Sequence, residues 1–180
     1  MVLYGSRSLI FNENFMTNFI LTPGLTLEEA EIIAQGIASE SDHMIPKTPE
    51  EILSEFHACG GLSAKVSGQV AGIIKLSVLD EEKELFERGS LFVLPAYRKH
   101  GIGTTLIYEI NKKFHHLALL SVTNVPAVKN INNADENQFL VPREELGSLL
   151  PIIEWPQALL PEDEVFLNTT LYARLKNGEF

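Results

Sequence analysis

The spacing of apolar residues changes period along this chain, and each change marks a change of element. Leu27, Ala30, Ile33, Ala34, Ile37 and Ala38 recur at helical intervals, behind Thr26-Leu27-Glu28-Glu29, which reads as a capping box. A second start signal stands at Thr48-Pro49-Glu50-Glu51, with Ile52, Leu53 and Phe56 as its buried stripe and Gly60-Gly61 as its stop. After Gly61 the period falls to two. Leu62 to Val66 and Val70 to Leu79, joined by Ser67-Gly68, predict a β-hairpin, and about Leu85 to Leu94 a third strand. The apolar run Leu91 to Leu94 lacks alternation, which predicts burial on both faces at the sheet centre, and Pro95 ends the ladder.

A helical period returns at Ile102, Leu106, Ile107, Ile110 and Phe114, with Lys112 and Lys113 in the last turn, where the helix dipole favours cations. Leu117 to Val122 follows as a second central strand. A helix joining two strands implies a parallel pair. Asn124 to Asn137 is rich in Asn and Asp and predicts at most a short irregular helix. Asn18 to Leu21, Phe139 to Val141 and Val165 to Leu175 read as further strands, and residues 1–17 as an arm without a clear period. The order β-α-α-β-β-β-α-β-(α)-β-β is that of an α/β chain with a mixed sheet and helices on both faces, one domain over residues 1–180.

Composition narrows the function classes. A formal net charge of −10 argues against a nucleic-acid surface, which needs a basic footprint. The longest apolar stretches fall short of a membrane span, and the N-terminus lacks the pattern of a signal peptide. Cys59 is the single cysteine, and the five histidines form no metal-binding spacing, so no metal is expected and a reducing cytoplasm fits. An acidic chain that binds a polyanion needs a local positive site. Arg98, Lys99 and His100, beside a helix start with Gly101 and Gly103, supply one, because unpaired N–H groups and the helix dipole converge there. A dinucleotide fingerprint is incomplete, since Leu106 stands where its third glycine would be.

The segment Val93-Leu94-Pro95-Ala96-Tyr97-Arg98-Lys99-His100-Gly101-Ile102-Gly103, with its R-x-x-G-I-G core, resembles the signature of the GCN5-related N-acetyltransferase (GNAT) superfamily. The specific match runs from about Glu87 to Asn124. The resemblance implies the acyl-CoA N-acyltransferase fold and acetyl-CoA as co-substrate. It places the CoA pyrophosphate on Arg98, Lys99, His100, Gly101, Ile102, Gly103 and Thr104. It implies that the pantetheine arm lies in a gap between two parallel strands, that a backbone N–H at Val93 or Leu94 holds the thioester oxygen, and that Asn124 lies near the cofactor. Glu87, eleven residues before Arg98, matches the family's acidic base, and alternation would put it on one face with Gly89, Leu91 and Val93. The family's N-x-x-A-x-x-x-Y reads Asn124, Ala127 and Ile131 here, so the tyrosine that would protonate the departing thiolate is missing.

The expected activity is acetyl transfer to a primary amine of a small molecule. Met44 to Ile52 is faintly similar to a segment of amino-acid N-acetyltransferases, which favours an amino-acid-like amine with Arg143 or Lys47 pairing its carboxylate. A polyamine is the rival acceptor. A catalytically weak acyl-CoA-binding or regulatory module on the same fold is the alternative, and a homodimer is left open.

Overall fold

The computed structural model describes residues 18–40, 44–82, 85–123, 125–134, 138–140 and 170–174. Strands β1 (Phe19–Thr22), β2 (Gly61–Val66), β3 (Gln69–Asp80), β4 (Leu85–Val93), β5 (Ala118–Thr123), β6 (Phe139–Leu140) and β7 (Thr170–Arg174) form one mixed sheet in the order β1-β2-β3-β4-β5-β7-β6. Helices α1 (Leu27–Ala38) and α2 (Pro49–Ala58) lie between β1 and β2 in the chain, α3 (Ile102–Lys113) between β4 and β5, and α4 (Pro126–Ala134) after β5. Among these strands β4 and β5 alone run parallel. Residues 1–17, Arg143 and Val141 lie outside the described residues, as do most of Val165 to Leu175.

The hydrophobic pattern explains the two layers. Ala30, Ile33 and Ile37 of α1 and Ile52 and Phe56 of α2 pack on Val70, Ile73 and Phe92 from one side of the sheet. Ile102, Leu106, Ile107 and Ile110 of α3 pack on Ala64, Ile74, Leu76 and Leu119 from the other. Both α1 and α2 begin with a reciprocal capping box, Thr26 with Glu29 and Thr48 with Glu51, as their sequences predict. Gly36 has a packing reason inside α1. A Cβ there would lie 2.7 Å from Cε1 of Phe92 and 2.9 Å from Cδ2 of Leu94, so the glycine lets α1 lie close against the end of β4.

Two expectations need correction. The Asn-rich segment after β5 forms a regular helix of nine residues, because Asn132 is buried at 1% exposure and its amide is bonded on both sides, to Arg88 and Ser121. Tertiary contacts override a weak helix propensity here. The run Leu91 to Leu94 lies mid-sheet, but only Phe92 is fully buried; Leu91, Val93 and Leu94 are half-buried. The reason is the sheet itself. Pairing between β4 and β5 covers Leu85–Glu87 against Ala118–Leu120 and then stops, so the rest of β4 has no strand partner on that side among the described residues.

The α2 face also holds a buried charge. Lys75 of β3, 5% exposed, donates to Ser77 Oγ at 2.7 Å, and its Nζ lies 3.0 Å from Glu55 Oε2. That second contact is off the hydrogen-bond direction, so it is one of charge. Glu55 accepts from Lys47 Nζ at 2.5 Å through its other oxygen. Burial pushes the Glu55 carboxyl up, but Lys47 and Lys75 together outweigh it and hold the group below the ordinary glutamate range.

Two outcomes test this packing. Gly36→Ala gains helix propensity but overfills the contact with Phe92, and is expected to destabilise the fold by about 1–3 kcal/mol in urea unfolding. A gain in stability would mean that α1 does not approach β4 this closely. A carboxylate whose folded pKa is depressed adds stability that is present above its unfolded pKa and lost as pH falls through the folded value. Unfolding free energy should therefore decline below the ordinary glutamate value of 4.5, with a shallower decline in Glu55→Gln. Equal slopes in the two proteins would remove Glu55 from the acid response.

Candidate functional site

The loop from Leu94 to Gly101 is built to leave the start of α3 open. Pro95–Tyr97 forms a single 3-10 turn, closed by the Tyr97 N–H to Leu94 and the Arg98 N–H to Pro95. Lys99 and Gly101 then adopt positive φ, +66° and +78°, and Gly101 is the N-cap residue of α3. No side chain caps this helix, and its first turn holds no acid. In α1 and α2 a threonine and a glutamate occupy those places. The backbone N–H groups of Ile102, Gly103 and Thr104 are thus the orphan donors of a helix start, at the positive end of its dipole. A Cβ on Gly101 would meet no described atom within 4 Å. This set of donors fits a pyrophosphate.

The charges around the loop are less simple than the sequence implies. Arg98 donates through Nε to the Val93 carbonyl at 2.8 Å, and its Nη2 lies 2.7 Å from both oxygens of Glu40. Arg98 therefore fastens the loop to the end of α1, and part of the cluster's positive charge is balanced. Glu40 had no signal in the sequence, being 58 residues away. Lys99 and Thr104 are exposed. His100 is half-buried, and its Nδ1 is enclosed without a hydrogen-bond partner. Asn124 lies outside the described residues.

The two candidate donors on β4 differ. The Leu94 N–H is committed to the Ala71 carbonyl at 2.9 Å. Val93 pairs with Gly72, one step along the ladder, and in an antiparallel pair the next residue turns its N–H away from the partner strand. The Val93 N–H thus points toward the side from which β5 has departed.

A bulge in β4 corrects the expected alternation. Opposite Ile73 to Lys75, β4 uses Phe92 to Gly89, one residue more, and Ser90 takes φ +49°. The extra residue reverses the faces. Leu91 and Val93 pack with the α3 core, as Phe86 does before the bulge. Glu87 and Gly89 stand opposite Ser77 and Lys75, on the α2 face. The Glu87 carboxylate folds over Gly89, with Oε1 only 3.3 Å from where a Cβ would sit. Glu87 therefore does not share a face with Leu91 and Val93. Its neighbour across the strand pair is the buried Lys75–Ser77 contact, which the sequence marks only as a lone cation among Ile73, Ile74 and Leu76.

Ile131 is half-buried against the α3 core, so an apolar contact takes the place of a hydroxyl. Lys47 is engaged by Glu55. Among the described residues no group of three His, Cys, Asp or Glu side chains could hold a metal, and no helix is long and apolar enough to cross a membrane.

Known proteins carry the same architecture. The diaminobutyrate acetyltransferase EctA from Paenibacillus lautus, solved with L-2,4-diaminobutyric acid and coenzyme A, is similar at a TM-score of 0.61 and 13% identity, over 89% of this chain and 96% of that one. The ribosomal-protein-S18-alanine N-acetyltransferase from Escherichia coli gives 0.60 and 14%, over 87% and 93%. N-acetylglutamate synthase from Neisseria gonorrhoeae, with coenzyme A and N-acetyl-glutamate, gives 0.59 and 14% over 87% of this chain, which spans 35% of that protein. These likenesses establish the fold. No curated protein sequence matches the chain. The family model for the acetyltransferase (GNAT) family matches residues 29–133, more than half of the 180, from the first turn of α1 to the end of α4. The chain belongs to the GNAT acetyltransferase family.

Proposed function

We propose that this enzyme transfers the acetyl group of acetyl-CoA to the primary amine of a small molecule, by direct attack in a ternary complex. The observation that carries this reading is the uncapped, acid-free start of α3, in a chain whose α1 and α2 are both sealed by capping boxes. Backbone donors of Ile102, Gly103 and Thr104 would hold the pyrophosphate, with Gly101, Lys99 and His100 shaping the loop. Arg98 would act chiefly by fixing the loop to Glu40. The parted strands offer the pantetheine arm an unpaired edge, in the manner of an added strand. The Val93 N–H would stabilise the oxyanion that forms when the amine attacks the thioester carbon.

Glu87 is the proposed base. The amine forms its C–N bond, the C–S bond breaks, and the ammonium proton passes to Glu87 directly or through one water. The thiolate leaves without a tyrosine at position 131, which its pKa of about 8.5 permits near neutrality. The acceptor is an amino-acid-like or polyamine-like amine; the L-2,4-diaminobutyric acid bound in the similar EctA structure supports the former class. The half-buried Ile131 favours one rival reading, a module that binds acyl-CoA without turnover. Thiol release with any amine in a panel of amino acids and polyamines would exclude that rival.

Two substitutions test the site. Gly101→Asp puts a carboxylate at the positive end of α3 and a side chain on a left-handed residue, so the CoA Kd should rise about tenfold or more in calorimetry. Unchanged affinity would refute the phosphate loop. Glu87→Gln should lower kcat/KM most on the acid side of the profile, where amine deprotonation limits the rate. A variant with the parent pH profile would return Glu87 to a structural role.

A further inference from the structure

The point at which β4 and β5 separate is also a buried polar cluster. Pairing ends at Glu87 on β4 and Leu120 on β5. The next residue on each strand is polar and buried: Arg88 is 4% exposed and Ser121 is 5% exposed. Neither bonds to the other. Arg88 Nη1 donates to Asn111 Oδ1 of α3 at 2.9 Å, and its Nη2 donates to Asn132 Oδ1 of α4 at 2.5 Å. The other end of the same amide, Asn132 Nδ2, donates to Ser121 Oγ at 3.4 Å. Asn132 is thus a strut whose two ends hold the two strands at the fork.

Physical cost makes such a strut necessary. Strand edges with unpaired N–H and C=O groups tend to close on a neighbour, and β5 lies beside β4 already in register. If the ladder continued past Glu87 and Leu120, the gap would vanish. The bulge at Ser90 bends β4 away on one side. A desolvated guanidinium keeps its place only with its hydrogen-bond partners satisfied, which fixes Arg88 to α3 and α4 rather than to β5. Helices that lie under the sheet are therefore bonded to both strands at the fork, beside the bulge in β4 itself.

We infer that Arg88, Asn132 and Ser121 are positioning residues that hold the β4–β5 fork at the width of the pantetheine arm. The inference rests on the reading of the gap as the pantetheine site. It assigns cofactor recognition to two independent parts: the α3 loop for the nucleotide end and the Asn132 strut for the arm.

The test compares CoA with 3′-phosphoadenosine 5′-diphosphate, which is CoA without its pantetheine arm. Both are titrated against the full chain, the shorter ligand in competition with CoA. Asn132→Leu removes both bonds at similar volume and should raise the CoA Kd about tenfold while leaving the nucleotide within about twofold. Asn132→Asp retains an acceptor for Arg88 and for the Ser121 hydroxyl and should restore CoA affinity. Should Asn132→Leu fail to fold, Ser121→Ala cuts the β5 leg alone and should weaken CoA about threefold, again sparing the nucleotide. Equal loss for both ligands, or no loss for CoA in a folded variant, overturns the strut. If the unaltered protein binds the nucleotide but not CoA more tightly, the gap reading fails as well. If it binds neither, the phosphate loop fails too.

Discussion

The parallel ladder between β4 and β5 lasts three residue pairs, and much of the candidate site follows from its stopping there. A parallel pair needs a crossover connection, which α3 supplies, and the crossover brings the start of α3 to the end of β4. Because the ladder stops early, the end of β4 presents backbone donors to a side with no paired strand among the described residues, just before the loop that starts α3. The uncapped helix start and the end of the β4–β5 ladder are therefore adjacent by topology. A full-length ladder with the same loop would retain the first and lose the second.

Local devices around the fork act in the same direction. The bulge at Ser90 turns Leu91 and Val93 into the α3 core and leaves Glu87 and Gly89 on the α2 face. The proposed base and the proposed oxyanion donor thus come from one strand, the first through a side chain on the α2 face and the second through a backbone N–H in the plane of the sheet. Gly89 gives the Glu87 carboxylate room to fold over the strand, and Gly36 lets α1 press on Phe92 and Leu94 beside it. Glu40, at the end of the same helix, fastens Arg98. The α1 face therefore braces the Leu94–Gly101 loop from behind, with contacts far apart in sequence.

How much of this was legible depended on the range of the interaction. Capping boxes at Thr26 and Thr48, the hairpin turn at Ser67-Gly68 and the glycine start of α3 are local signals, and the elements form where those signals lie. Alternation along β4 failed at Ser90 because a bulge is an agreement between two strands, and neither strand alone records it. The Asn-rich α4 was underestimated for a related reason, since Asn132 is held by Arg88 from 44 residues away. Glu40 was invisible for the same reason. Arg88 and Lys75, by contrast, were written plainly as cations within strand patterns, and only their partners were hidden.

Those two buried cations divide the work on either side of the sheet. Lys75 lies on the α2 face with Glu55 and Ser77, so its charge has a carboxylate partner and its neighbourhood includes the Glu87 position across the strand pair. Arg88 lies on the α3 face and is bonded to the amides of Asn111 and Asn132. Replacing either alone by an apolar residue would leave its buried partners unpaired and weaken the fold; only replacing a whole cluster together would remove the desolvation penalty. Their value is positional. A buried charge tolerates few arrangements of its partners, so it fixes the spacing of the elements that carry them. At Arg88 that spacing is the width of the fork, and at Lys75 it is the seating of α2 against the strand pair that carries Glu87.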